Sequence, residues 1–403
     1  VATTGFRADG LSDLRPQGAS AAAPRGAPVP TVGARRQAAV RLPTVMVVGE
    51  NRGLVSRVAW GLPPDVCGQH FIVGPATLGL LKLAPGCAGH IRIALDRHGG
   101  AAFRSATEAL FDAGQTVIAM AADEAGIRFL SGTPIDGLIR APHPDPSIVA
   151  DFRDKGTFFG ICTRLGIKTP NTEICQDKTA IDCRAVAEKF RYPLIVKPVA
   201  ETRSRGVVLV RSEADLKAAI IDNAHWNFGP LLVQDFIDGA DIHIGMFSVD
   251  GAILHQAVQM RNRNGITFLR NHALLEAARV LMRDCRFTGL ADIDARLDRR
   301  GEVYVLECNP RPWGSMTAPS WCGLNFVRAS IMFAIGRASG CPRSITDCSA
   351  PAPWRKIQAI LRDPLTWNRL TADQKRTLGS AAWLAMFEVQ DRLARMAGRR
   401  GPW

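Results

Sequence analysis

The stretch Val303-Tyr304-Val305-Leu306-Glu307-Cys308-Asn309-Pro310-Arg311-Pro312-Trp313-Gly314-Ser315 limits this chain more than any other. It follows a turn at Arg299-Arg300-Gly301, and its first half is rich in β-branched and aromatic residues, the composition of a buried strand. Residues two apart on a strand share a face, so Glu307 and Asn309 point the same way. Pro310 and Pro312 then stop the ladder and hold Arg311 in a stiff loop. One strand end therefore delivers a carboxylate, a neutral oxygen ligand and a fixed guanidinium. Hard oxygen ligands of this kind suit Mg²⁺ carrying nucleotide phosphates. Taken alone, an ordinary strand ending in a charged loop explains the stretch as well. The rest of the chain decides between them.

The 403 residues suffice for two or three domains, and 47% hydrophobic content allows a sizeable core. A net charge of +13 suggests an anionic partner until it is located. Residues 1–42 carry six Arg against two Asp, and residues 343–403 carry eleven Lys or Arg against five Asp or Glu. The body between them holds only +3, which argues against a nucleic-acid channel there. Ten scattered cysteines, never spaced CxxC, read as reduced thiols of a cytoplasmic protein. No uninterrupted apolar run is long enough for a membrane span, and no signal-peptide pattern opens the sequence.

Residues 1–42, rich in Ala, Gly, Pro and Arg, read as a disordered basic extension. From Thr44 to about residue 142, short strands (44–49, 70–74, 116–120) alternate with helical segments such as Leu54–Leu62. That alternation implies a parallel α/β sheet, Rossmann-like in outline. Gly49-Glu50-Asn51-Arg52-Gly53 is nevertheless not GxGxxG, so dinucleotide binding is not expected. After a Pro-rich boundary at 143–146, one helix is expected from Pro146 to Leu165, containing Asp154-Lys155 and ending at Gly166. A strand over 192–198 carries Lys197, and the polar turn 201–206 leads into a second strand, a good shape for a lid over phosphates. Ser212 caps a helix, 231–237 is a strand, and Asp250-Gly251 joins a hairpin. Residues 261–265 read as a polar loop and 273–284 as an amphipathic helix. The strand 289–294 pairs through Arg300-Gly301 with the opening stretch and brings Asp294 near Glu307. The tail ends in an apolar-faced helix with Trp383, Phe387 and Leu393 that is expected to dock on the body.

Taken in order, Asp154-Lys155, Val196-Lys197-Pro198, Gln234-Asp235-Phe236-Ile237 with Gly239 and Asp241, Asp294, and Glu307-Cys308-Asn309-Pro310-Arg311 resemble the ATP-grasp superfamily over about residues 150–340. The likeness is to the carboxylate–amine ligases, with similarity to the ATP-grasp domains of carbamoyl phosphate synthase and biotin carboxylase. After the disordered basic extension over 1–42, it implies a Rossmann-like pre-ATP-grasp α/β domain over 43–145. A two-lobed ATP-grasp domain then covers 146–342, with a lid lobe at about 170–235 and a large lobe at about 236–342, before a helical extension over 343–403. By the same resemblance, Lys155, Lys197 and Arg205 face nucleotide phosphates. The backbone of Gln234, Asp235, Phe236 and Ile237 faces adenine, and Asp241 accepts the ribose hydroxyls. Asp294, Glu307 and Asn309 would bind Mg²⁺ or Mn²⁺, with Asp292 on the same strand face as the alternative ligand. Arg311 stabilises a developing oxyanion, and Lys197 is catalytic with it. The chain departs from the family at its mobile loop, where only Gly206 is glycine and Arg203 and Arg205 stand as cations. It departs also at Gln234 and Asp241, positions where Glu is common.

The implied activity is an ATP-dependent ligation of a small-molecule carboxylate to an amine through an acyl phosphate, releasing ADP and phosphate. A carboxyphosphate-forming enzyme and a non-catalytic ATP-binding regulatory protein are the rival readings. No Gly-Lys dipeptide occurs, which excludes a P-loop. A homodimer is compatible with this reading.

Overall fold

The computed structural model describes residues 41–201 and 205–396. Most of the extension expected over 1–42, Arg203 in the turn after residue 201, and the side chains of Phe387 and Leu393 lie outside the described residues.

The first sheet is five-stranded and parallel: β1 (Thr44–Val48), β2 (Gln69–Gly74), β3 (Cys87–Arg92), β4 (Val117–Ala121) and β5 (Ile139–Arg140), in the order β3-β2-β1-β4-β5. Strand periodicity splits β1 between two cores. Val45 and Val47 join one with Val55 and Val58, while Met46 and Val48 join the other with Phe103 and Ile127. Burial on both faces is why the strand reads as an unbroken apolar run.

The second sheet contains β6 (Thr172–Cys175), β7 (Leu194–Pro198), β8 (Val208–Val210) and β9 (Leu231–Asp235), paired antiparallel in the order β6-β9-β7-β8. The third is six-stranded: β10 (Gly239–Val249), β11 (Ala252–Asn262), β12 (Gly265–Leu269), β13 (Gly289–Asp298), β14 (Val303–Asn309) and β15 (Cys348–Pro351), in the order β14-β13-β10-β11-β12-β15. The β10–β11 hairpin turns at Asp250 and Gly251, both with positive φ (47° and 79°), as the Asp-Gly signal requires. On β10, Ile242, Ile244 and Met246 are fully buried in the core beneath the helix His272–Asp284, which leaves Asp241 and His243 on the opposite face.

Three local expectations are corrected. The helix over 146–165 is two helices, Pro146–Arg153 and Lys155–Arg164, broken at Asp154. Asp154 has ψ 106° and accepts the Thr157 N–H at 2.7 Å, so the carboxylate caps a new helix instead of continuing the old one. The polar loop over 261–265 is a tight connection: Asn262 pairs with Gly265, and β12 continues the sheet. The tail, expected to begin as an appendage at residue 343, returns β15 to the edge of the central sheet. Its seat depends on Gly265, where a Cβ would lie 2.2 Å from the Ala350 carbonyl oxygen.

The last helix, Ala372–Met396, docks on the body as expected. Gly379 lies so close to the Trp60 ring that a Cβ would come within 2.2 Å of it, Arg376 donates to the Leu62 carbonyl at 3.0 Å, and Leu378 is buried. Among the described residues no helix is long and apolar enough to cross a membrane.

Candidate functional site

The β13–β14 ladder sets Asp292 opposite Asn309 and Asp294 opposite Glu307. The β10–β13 ladder sets His243 opposite Asp294 and Asp241 opposite Arg296. Strand alternation thus gathers Asp241, His243, Asp292, Asp294, Arg296, Glu307 and Asn309 on one face of the sheet. His243 Nδ1 hydrogen-bonds Asp294 Oδ1, and Asn309 Nδ2 donates to Asp294 Oδ2 at 3.2 Å. Asn309 Oδ1 accepts from Arg311 Nη2 at 3.0 Å.

Lys155 and Lys197 come from different elements to meet this face. The break at Asp154 makes Lys155 the first residue of its helix. Its Nζ donates to the Glu201 carbonyl at 2.6 Å and stands 3.7 Å from Glu307 Oε2. Lys197, near the end of β7, is only 8% exposed. A cavity of about 380 Å³ lies between the four-stranded and six-stranded sheets. It is lined by Lys155, Lys197 and Glu307, by Phe236, Ile237 and Arg296, and by Arg205, Gln234, Asp235 and Asp241. That volume is in the range of small-molecule sites. A second cavity of about 580 Å³ shares Asp241, His243, Asp294 and Glu307 with the first and runs on to Asn309, Arg311 and Trp313.

The carboxylates are crowded. Burial raises the pKa of Glu307, and Asp294 across the ladder raises it further, against the pull of Lys155 and Lys197. Burial likewise holds Asp292 well above the usual carboxylate range, with Asp294 adding to it. Burial lowers His243, but Asp294, Asp292 and Asp241 outweigh it and leave the imidazole above its ordinary value. Burial depresses Lys197 to about 8. Asp292 Oδ1 is buried and has no hydrogen-bond partner among the described residues. An uncompensated buried oxygen beside two more carboxylates is the environment a divalent cation completes, so the donor set fits such an ion.

Apart from Arg203, which lies outside the described residues, the site residues singled out in the sequence are brought together here, with qualifications. Gln234 turns its amide inward to donate to Thr172 Oγ1 at 2.8 Å, so only its backbone is left toward the cavity side. Asp241 is ion-paired with Arg296 at 2.7 Å. Arg205 is largely exposed and stands 3.6 Å from Glu201. Trp313 is buried against Phe326, and a Cβ on Gly245 would come within 2.1 Å of its ring.

Four participants went unnoticed. His243 and Arg296 each follow a chosen acid by two residues on the same strand, so alternation would have found them. Arg296 also donates to the Ile237 and Gly239 carbonyls (3.0 and 2.8 Å) and lies over the Phe236 ring. Gln259 is 2% exposed and donates to Ser315 Oγ. Glu124, from the first sheet's side of the chain, stands 3.5 Å from Arg311 Nε and 3.0 Å from Arg153; no local pattern marks it.

Two family descriptions match the chain: "ATP-grasp in the biosynthetic pathway with Ter operon" over residues 227–352, and "D-ala D-ala ligase C-terminus" over residues 164–270. A D-alanine–D-alanine ligase of Neisseria meningitidis serogroup A is 28% identical over 196 residues, 44% of this chain and 61% of that protein. The carbamoyl phosphate synthase large chain of Methanothermobacter thermautotrophicus is 29% identical over 231 residues, 51% of this chain and 20% of that protein. The chain thus spans about three fifths or less of the length of these curated relatives. Among solved structures, the biotin carboxylase domain of the Hydrogenobacter thermophilus 2-oxoglutarate carboxylase, crystallised with MgADP and bicarbonate, superimposes with a TM-score of 0.52 at 16% identity. That match covers 73% of this chain and 70% of that one. Strand order, the acid–amide–guanidinium ladder and these matches agree, and the chain belongs to the ATP-grasp superfamily.

Proposed function

We propose that this chain is an ATP- and Mg²⁺-dependent ligase that activates a small-molecule carboxylate as an acyl phosphate for attack by an amine. One observation carries the reading: Asp294, Glu307 and Asn309 sit together on one sheet face, opposite Lys155 and Lys197, at the junction of two cavities. The nucleotide occupies the first cavity. Its adenine lies toward the backbone of Gln234 to Ile237, its ribose toward Asp241 and Arg296, and its phosphates toward Lys155, Lys197 and Arg205. The Rossmann-like first domain, the lid lobe and the large lobe are then the parts of an ATP-grasp enzyme with its preceding domain. Asp294, Glu307 and Asn309 would hold Mg²⁺ or Mn²⁺, with Asp292 as the alternative ligand. The ion, when bound, neutralises phosphate charge.

The chain's own residues do the rest. A substrate carboxylate oxygen attacks the γ-phosphorus, and the bond to the bridging oxygen breaks with its electrons going to ADP. Lys155 and Lys197 draw charge from the phosphates as it shifts. The amine then adds to the acyl carbon, the oxyanion forms beside the Arg311 guanidinium, and phosphate leaves as the nitrogen loses its proton. The planar Arg311 guanidinium is held in one orientation by Asn309 and the Pro312 carbonyl (2.9 Å), with Glu124 beside it. Closure of the lobe carrying β6 to β9 would exclude water from the acyl phosphate. Ten free cysteines fit a reducing, cytoplasmic setting.

A screen of carboxylates and amines for ADP release tests the proposal. ADP with phosphate is expected, and AMP with pyrophosphate contradicts an acyl phosphate. The match to carbamoyl phosphate synthase favours one second reading, in which bicarbonate is the acid and carboxyphosphate the intermediate. ADP release that depends on bicarbonate and on no organic acid would select it. MgATP binding without turnover would leave a regulatory nucleotide-binding role.

A further inference from the structure

The cavity at Asn309 and Arg311 does not end there. It shares Arg261, Ile266, Gly314 and Ser315 with a further chamber of about 290 Å³. That chamber is built from the β11–β12 hairpin, the turn 314–321, the strand end at 350–353 and the helix Ala372–Met396. Its wall is partly apolar, with Ile266, Trp321 and Leu384. Its charged lining residues are Arg261 and Arg57, the latter already donating through Nε to the Gly314 carbonyl and through Nη1 to the Gly53 carbonyl, and no carboxylate lines it among the described residues. Lys356 Nζ lies over the Trp321 ring, 5.2 Å from its centroid, and adds positive charge at the wall. Two buried polar atoms along the trough have no partner among the described residues: Ser380 Oγ at the chamber and Gln259 Oε1 in the adjoining cavity. Unpaired buried polar atoms are costly and mark places where a ligand supplies the missing bond.

Resting on the ligase reading above, we infer that the acid substrate carries a second anionic group, seated in this chamber by Arg261 and the Ser380 hydroxyl beneath the C-terminal helix. The reacting carboxylate lies at Arg311, an apolar body passes Gly314 and Ile266, and a hydroxyl or amide donor on that body reaches Gln259. The distal anion is a carboxylate or a phosphate, since a guanidinium with a neighbouring hydroxyl suits both. The tail helix is then a wall of the substrate site and not only a structural brace.

The test uses the full chain with MgATP and a panel of linear acids of matched length: α,ω-dicarboxylates, ω-phosphono carboxylates and plain monocarboxylates. ADP release and thermal shift with MgADP are read for each. A dianionic acid is expected to show a KM lower than its monocarboxylate by about tenfold or more, the scale of a charged hydrogen bond. The better of the two dianion classes identifies the distal group. Arg261→Gln should erase that preference and leave the KM for ATP unchanged. Gly314→Leu should fold, because a Cβ at Gly314 meets nothing within 4 Å, and should raise KM for long acids more than for short ones. Turnover with no preference for dianions, or an Arg261→Gln effect equal for ATP and acid, overturns the inference and leaves the ligase reading standing. Failure to bind MgADP overturns the ligase reading instead. The chamber is then read by thermal shift with the dianions alone, where absence of Arg261-dependent stabilisation overturns the inference.

Discussion

Lys197→Met should make the free protein more stable while removing its activity. Lys197 lies in β7 with a cross-strand partner, Leu232, and is 8% exposed. Burial lowers its pKa from 10.5 to about 8, with Lys155 lowering it too, while Glu307 and Asp294 only partly restore it. Below pH 8 the side chain is charged in both the folded and unfolded states, and the fold carries the full cost of burying that charge. Between pH 8 and 10.5 the unfolded chain binds the proton and the folded chain does not, so stability rises with pH; above 10.5 the cost is gone. A fall of about 2.5 in pKa, at about 1.4 kcal/mol each, puts the cost on the order of 3 kcal/mol. Urea unfolding at pH 7 should therefore find the Met variant more stable by about 3 kcal/mol, and the gap should close toward zero by pH 10.5. The difference between variant and parent cancels the titration of unrelated groups. ATP turnover should fall by about 10²-fold or more, the scale of losing one charge-stabilising donor. A variant less stable at pH 7, or a gap that ignores pH, would refute the account of why this lysine is buried.

Three further outcomes are expected. Glu307→Gln should leave the circular dichroism spectrum unchanged and cut Mg²⁺-dependent ADP release by about 10²-fold or more; an unaltered rate would remove the metal assignment. Gly245→Ala places a Cβ within 2.1 Å of the Trp313 ring and should cost about 1–3 kcal/mol in denaturant unfolding, so an unchanged midpoint would show that Trp313 does not pack there. Arg296→Met breaks the pair with Asp241 and the bonds to two carbonyls, and should weaken MgADP binding by about tenfold in calorimetry; unaltered affinity would move the ribose elsewhere.

The parts of this fold that show in the sequence are those set by backbone periodicity. The parallel sheet shows because β1 is buried on both faces, and Asp294 meets Glu307 because a hairpin turn fixes which residues are opposite. The break at Asp154 is hidden for an equally local reason: a helix-compatible run continues through it, and only its carboxylate bond to Thr157 shows that it starts a helix. Glu124 and β15 were not legible at all. Glu124 reaches Arg311 across 187 residues of chain, and β15 pairs with β12 through a strand edge that no spacing encodes. Contacts of that kind follow from how finished elements pack, and a linear pattern carries no trace of them.

The two departures from the family pattern then take on a physical meaning. Gln234 cannot serve as a charged cavity group, because its amide donates into the interior at Thr172 while its neighbours Phe236 and Ile237 form the cavity wall. A neutral side chain suits that burial better than a carboxylate. Asp241 is shorter than the Glu often found there, and Arg296 reaches across from β13 to hold it at 2.7 Å while bonding the Ile237 and Gly239 carbonyls. Side-chain length lost on β10 is thus recovered by a cation on β13, and the pair ties the segment at Ile237 and Gly239 to the strand that carries Asp294. In the proposed reading, nucleotide position and metal position are coupled through Arg296. Truncating Arg296 should therefore weaken Mg²⁺ dependence together with nucleotide affinity, whereas Asp241→Ala, which leaves the carbonyl bonds intact, should lower affinity alone.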